Sequence, residues 1–159
     1  MKVRAAQGRD ADQIVTIWND VIEGTAITFT TELKTEAGIC ADIAARSAAF
    51  QVADLEGQVV GFATYGPFRN GPGYARTKEH SIMLAPQARG QGVGRGLMSA
   101  LCDHARAEGV HSLWAGISAE NPAAVPFHAA LGFTEIARLP EVGHKFDRWI
   151  DLILMQKRL

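Results

Sequence analysis

Apolar residues along the chain come in short blocks whose spacing switches between two and three-to-four, the mark of strands alternating with amphipathic helices. Lys2–Ala6 reads as a short strand. Ile14, Ile17, Trp18 and Val21 then recur at helical spacing, with Asp10 placed to N-cap the helix, Gln13 to complete a capping box and Gly24 to end it. Thr25–Thr31, threonine-rich around Ile27 and Phe29, reads as an extended loop, and Glu36–Ala48 as a second helix. Gln51–Leu55 and Gln58–Tyr65 flank Glu56-Gly57, a two-residue hairpin signal. Prolines and glycines make Gly66–Gly73 a loop. Lys78–Leu84 is a strand stopped by Pro86, and Val93–Glu108 a helix closed by Gly109. His111–Ile117 is a strand, Pro122–Leu131 a helix backed by Gly132, and Phe133–Leu139 and Phe146–Met155 the last two strands. The order β-α-α-β-β-β-α-β-α-β-β predicts an α/β (α+β) fold. Its centre is a mixed, twisted sheet of six to seven strands flanked by about four helices, in a single domain over residues 1–159.

Composition narrows the function. Hydrophobic residues make up 47% and charged residues 21% of 159, enough for a real core. A net charge of -1 argues against a nucleic-acid partner, which calls for a basic excess. Cys40 and Cys102 are too few and too far apart for a disulfide framework or a metal cluster; Cys102, on the apolar side of its helix, reads as core. The start of the chain lacks the apolar run of a secretory leader, and no stretch approaches the roughly 20 apolar residues of a membrane span. These features predict a cytoplasmic protein with no membrane partner.

The most informative segment is Ser81-Ile82-Met83-Leu84-Ala85-Pro86-Gln87-Ala88-Arg89-Gly90-Gln91-Gly92-Val93-Gly94-Arg95-Gly96-Leu97. An apolar strand runs into a proline stop, then glycines at every second position open a helix. Glycine lets main-chain N–H groups face a ligand with no Cβ in the way, and the helix start adds unpaired donors and partial positive charge. Arg89 and Arg95 add formal charge, so the segment suits a pyrophosphate. A dinucleotide fingerprint fails, because Arg95 or Leu97 stands where its last glycine belongs; a P-loop fails for want of a lysine.

Arg89-x-x-Gly92-x-Gly94 after a strand resembles the acyl-CoA pyrophosphate loop of the GNAT superfamily of N-acetyltransferases. Asn121 to Phe133, ending Leu131-Gly132-Phe133, is similar to the superfamily's next helix, and the element order matches over nearly the whole chain. Glu79-His80-Ser81, Thr25-Ala26-Ile27 and the stretch from Glu141 to Leu152 resemble one branch, the phosphinothricin and methionine sulfoximine N-acetyltransferases. The resemblance implies acetyl-CoA as co-substrate, no metal, a homodimer, and acetylation of the amine of a small amino-acid analogue. It assigns the pyrophosphate to Arg89, Gly90, Gln91, Gly92, Val93, Gly94 and Arg95. It assigns the pantetheine arm to the main chain of Ile82, Met83 and Leu84, which requires a local splay or bulge in the sheet, and to Asn121, which also reads as an N-cap ahead of Pro122.

Acetyl transfer to an amine needs a base for the ammonium, donors for the oxyanion and a proton for the thiolate. Glu79, upstream of the cradle on the same strand, is the candidate base, acting directly or through one water; His80 points to the opposite face and reads as structural. His128 stands where many superfamily members carry a tyrosine acid. It is either the acid or a helix histidine packed against the cofactor. Arg76 is the candidate clamp for an anionic acceptor, in a loop with Lys78, with Phe29 and Tyr74 as apolar walls; the alternative is an exposed charged loop. Lys145, Arg148 and Trp149 shape either the pocket or a dimer contact. Rival acceptors are peptides, aminoglycosides and polyamines; the basic loop disfavours the polycations. A non-catalytic acyl-CoA-binding module would keep the cradle and dispense with Glu79 and His128.

Overall fold

A computed structural model describes residues 1–159. Seven strands, β1 (Lys2–Ala5), β2 (Phe50–Leu55), β3 (Gln58–Pro67), β4 (Thr77–Leu84), β5 (Ser112–Ser118), β6 (Thr134–Lys145) and β7 (Arg148–Arg158), form one sheet in the order β1-β2-β3-β4-β5-β7-β6. The period-two alternation sends its apolar residues to both faces, and each face is covered by two helices. On one side α1 (Ala11–Gly24) and α2 (Glu36–Arg46) bury Ile14, Ile17, Trp18, Ile39 and Ile43 against Phe50, Val52 and Phe62. On the other, α3 (Val93–Ala107) buries Leu97, Met98, Leu101 and Cys102 against Leu113, Ala115 and Ile153, beside the short α4 (Ala124–Ala130).

One junction positions everything that follows. All neighbouring strands are antiparallel except β4 and β5, which pair in parallel only from Thr77–Ser112 to His80–Ala115. Beyond that point Ser81–Leu84 keep partners in β3 alone, and Gly116–Ser118 keep partners in β7 alone. The sheet therefore opens into a wedge, the splay that main-chain contacts from Ile82, Met83 and Leu84 require. A register shift between β2 and β3 at Ala53/Asp54 adds twist at the same end, and the carbonyl of Val60 there accepts the Ala85 N–H at 2.9 Å.

Several boundaries differ from the sequence expectation. Gln13 closes no capping box: its Oε1 accepts the Val59 N–H at 2.8 Å, while Asp10 accepts the Gln7 N–H at 2.8 Å and pairs with Arg4. The second helix stops at Arg46 because Ser47 turns to a φ of 49°. Asn121 is not an N-cap; α4 begins only at Ala124, and the Asn121 carbonyl accepts the Ala124 N–H in a preceding turn. The final strands are longer than predicted. The sequence reading ends one strand at Leu139 and begins the next at Phe146, yet β6 runs on through Pro140 and Gly143, bulging between Leu139 and Gly143, where the Asp151 carboxylate takes up the Glu141 N–H at 2.9 Å. The turn into β7 is Phe146-Asp147, both at positive φ (52° and 57°), as a tight twisted hairpin demands.

Candidate active site

A cavity of about 570 Å³ passes through the wedge. Its walls come from both layers: Val21, Ile27, Thr28 and Phe29 on the α1 side, Ala124, Phe127 and His128 on the α4 side. Between them run His80–Leu84 of β4 and Ala115–Ser118 of β5. Arg89, Gly90 and Asn121 close one end. An extended ligand entering at Arg89 can thus thread between the strands and present its far end below Phe29.

The Arg89 end is built for an anion. Gly90 and Gly92 take positive φ (74° and 78°), and open space lies where a Cβ would stand on each. Gly92 is the helix N-cap; the first bond of α3 runs from Gly96 N–H to Gly92 O at 3.1 Å. No side chain caps the helix, which leaves the amides of Val93, Gly94 and Arg95 as donors at its positive end. Within the predicted cradle the side chains divide. Val93 packs into the core, Gln91 bonds the Gln87 carbonyl, and a Cβ on Gly94 would lie 3.0 Å from the Phe127 ring, so Gly94 is small to admit that ring. Arg95 turns toward a separate groove with Arg106 and Lys157.

Glu79 lies on the other face of β4, half-buried, with no hydrogen-bond or ion-pair partner within the chain, and burial raises its pKa above the ordinary carboxylate value. Its Oε1 is 3.0 Å from the position a Cβ would occupy on Gly116, a residue of the cavity wall. Glu79 does not itself line the cavity; its carboxylate stands directly behind the wall at Gly116, where β5 carries glycine and leaves it room.

His80 and His128 are both buried and face each other. His80 Nδ1 is 3.0 Å from Trp114 O, His128 Nδ1 is 2.7 Å from Ala124 O, and the two Nε2 atoms are 3.1 Å apart. Burial pushes both down, His80 to about 3, with the neighbouring His128 adding to the effect on His80. His128 borders the cavity, but both of its ring nitrogens are engaged within the protein.

Phe29 lines the cavity; Tyr74, Arg76 and Lys78 do not. Tyr74 packs on Phe68, which stacks on Trp114 at 5.2 Å, and Arg76 is exposed, its carbonyl accepting the His111 N–H at 2.9 Å. Lys78 pairs with Pro67 and Leu113 at the closed end of the wedge. Among residues not assigned a site role from sequence, Gly116, Leu152 and Thr28 lie on the wall. Lys145 is buried behind it, with Nζ donating to the carbonyls of Ile22, Thr25 and Thr28 at 2.6, 2.7 and 3.0 Å. A glycine in a strand gives no sequence signal of such a role, while for Lys145 the sequence leaves pocket and dimer contact as alternatives.

The model of the acetyltransferase (GNAT) family matches residues 14–133, which span the wedge, the cradle and α4. The chain belongs to that family. As a member it transfers an acetyl group from acetyl-CoA to an amine. Over its whole length it is 37% identical to 94% of an L-amino acid N-acyltransferase from Escherichia coli. Over 99% of its length it is 36% identical to 94% of an L-methionine sulfoximine/L-methionine sulfone acetyltransferase from Pseudomonas aeruginosa. Its fold superposes with a TM-score of 0.92 on a phosphinothricin acetyltransferase from Sinorhizobium meliloti in complex with acetyl-CoA, at 31% identity and covering 99% of this chain and 88% of that one.

Proposed function

We propose that the chain acetylates the α-amine of a small amino-acid-like acceptor of the methionine sulfoximine, methionine sulfone or phosphinothricin type, with Glu79 as base. The observation that carries this reading is the unpartnered, partly desolvated Glu79 carboxylate, set against Gly116 in the wall of a cavity that joins the cradle to the Phe29 loop. Relatives that act on L-amino acids and on methionine sulfoximine support the acceptor class.

The residues present fit acetyl-CoA, because open space over Gly90 and Gly92 and the uncapped amides of α3 suit a diphosphate. Arg89, Gly90, Gln91, Gly92 and the amides of Val93, Gly94 and Arg95 would hold it; the main chain of Ile82, Met83 and Leu84 and the side chain of Asn121 would hold the pantetheine arm. When bound, acetyl-CoA supplies the acetyl group activated as a thioester. Glu79 accepts the ammonium proton, directly or through one water, and its raised pKa makes it a better base near neutral pH than an ordinary carboxylate. Phe29 and Ile27 exclude water from the reacting amine.

On this reading residues 1–159 act as one catalytic domain in a cytoplasmic homodimer. The exposed Val142, Phe146 and Trp149 of the β6–β7 hairpin support an association surface. No helix is long and apolar enough to cross a membrane. The test is thiol release from acetyl-CoA with methionine sulfoximine, methionine sulfone, phosphinothricin and a set of dipeptides. Faster release with the amino-acid analogues is expected; preference for the dipeptides contradicts the acceptor class, and CoA binding without turnover on any amine favours a binding module.

A further inference from the structure

Two residues of β6 grip the loop that follows α1. A Cβ on Gly143 would fall 2.5 Å from the Phe29 ring, so that ring lies directly on the Gly143 main chain. Two residues on, Lys145 sends Nζ to the carbonyls of Ile22, Thr25 and Thr28. Three acceptors require three hydrogens, which an ammonium has and a neutral amine lacks. Lys145 is 2% exposed, and no carboxylate pairs with it. A buried positive charge held by carbonyls and the Phe146 ring 5.2 Å away, with no carboxylate, is costly to keep, and it stands behind the one stretch of cavity wall this loop provides.

That wall is apolar at Val21, Ile27 and Phe29, with one exception. The Thr28 hydroxyl is the single buried side-chain oxygen or nitrogen with no hydrogen-bond partner in the structure. Its residue's carbonyl is held by Lys145, which fixes the main chain from which that hydroxyl projects. A buried hydroxyl left unpaired costs stability unless a ligand completes it.

Building on the acceptor reading above, we propose that the Thr28 hydroxyl donates to an anionic group of the acceptor, its carboxylate in the amino-acid case, and that Lys145 is the positioning residue that fixes Thr28 and biases this end of the cavity toward negative charge. The hydroxyl then selects amines that carry a carboxylate over amines that do not. Lys145 touches no acceptor atom; it acts through the loop.

The test compares kcat/KM for L-methionine sulfone with kcat/KM for its decarboxylated counterpart, 3-(methylsulfonyl)propylamine, in the wild type, Thr28→Val, Thr28→Ser and Lys145→Met. The wild type favours the amino acid. Thr28→Val, nearly the same shape, lowers that preference by about tenfold, the scale of one hydrogen bond to a charged group, and Thr28→Ser restores it. Lys145→Met lowers it as well, through a higher acceptor KM rather than through a lower melting temperature alone. A wild-type preference that survives Thr28→Val overturns the inference and leaves the acceptor reading standing. A wild type that accepts the simple amine and refuses the amino acid overturns the acceptor reading, and the Thr28 assignment falls with it.

Discussion

His80 and His128 meet Nε2 to Nε2 at 3.1 Å, each with its Nδ1 already directed at a main-chain carbonyl. The chain of three contacts, from Trp114 O to Ala124 O, needs three protons, and two neutral imidazoles carry two. The pair is therefore one contact short when neutral and becomes fully bonded only by taking up a charge that its burial opposes.

Acid sensitivity follows. Above pH 6.5, the ordinary histidine value, folded and unfolded chains both hold His80 neutral. Below it the unfolded chain takes up a proton that the folded chain refuses until about pH 3, so stability falls as pH drops across that window. The expected loss is about 1.4 kcal/mol per pH unit per group. Urea midpoints at pH 7.5, 6, 5 and 4 should decline for the wild type and decline less for His80→Asn; parallel declines would contradict the assignment.

Replacing the base separates catalysis from stability. Glu79→Gln should lower kcat/KM about a hundredfold or more while leaving the dissociation constant for acetyl-CoA nearly unchanged. A carboxyl whose folded pKa is raised stabilises the fold fully below its unfolded value and loses that contribution as pH rises through the folded value. The glutamine variant should therefore melt slightly higher than the wild type at pH 7.5, by calorimetry. Unchanged turnover removes Glu79 as base.

Gly116 sets where that carboxylate stands. With 3.0 Å between Glu79 Oε1 and a Cβ at Gly116, Gly116→Ala should push the carboxylate aside and reduce kcat roughly tenfold to a hundredfold, the scale of an ångström of misplacement. Single-turnover rates at saturating acetyl-CoA check this, and a wild-type rate would show that the carboxylate position is immaterial.

At the cradle the obstacle is conformational. Nothing lies within 4 Å of a Cβ on Gly92, yet its φ of 78° is one that a β-branched residue resists. Gly92→Val should re-aim the first amides of α3 and abolish acetyl-CoA binding in calorimetric titration. Normal binding contradicts the cradle.

Much of this was legible in the sequence, and what was not has physical causes. The alternating glycines after Pro86, the helical spacing of Ile14 to Val21 and the Glu56-Gly57 turn between β2 and β3 are local signals, and local geometry produces them. The wedge depends on which strand β5 meets, a long-range pairing that no local pattern encodes. For the same reason Gly143 gives no sign of its role until Phe29 is seen lying on it, and Lys145 reads as a pocket or dimer residue until its three carbonyls place it behind the loop. Arg76 looks like an anion clamp from its neighbours in sequence, but it sits at the closed end of the β4–β5 pair, away from the cavity.

The most direct measurement is a diffraction structure of the protein with a non-reactive acetyl-CoA analogue, read for the distance from the acetyl carbonyl carbon to the Glu79 carboxylate. The diphosphate should lie on the amides of Gly92 to Arg95 and the pantetheine between Ser81–Leu84 and Gly116–Ser118, with the carbonyl one amine's width, or one amine and a water, from Glu79. An analogue bound outside the wedge, or an acetyl group on the far side of β4 from Glu79, would contradict the account.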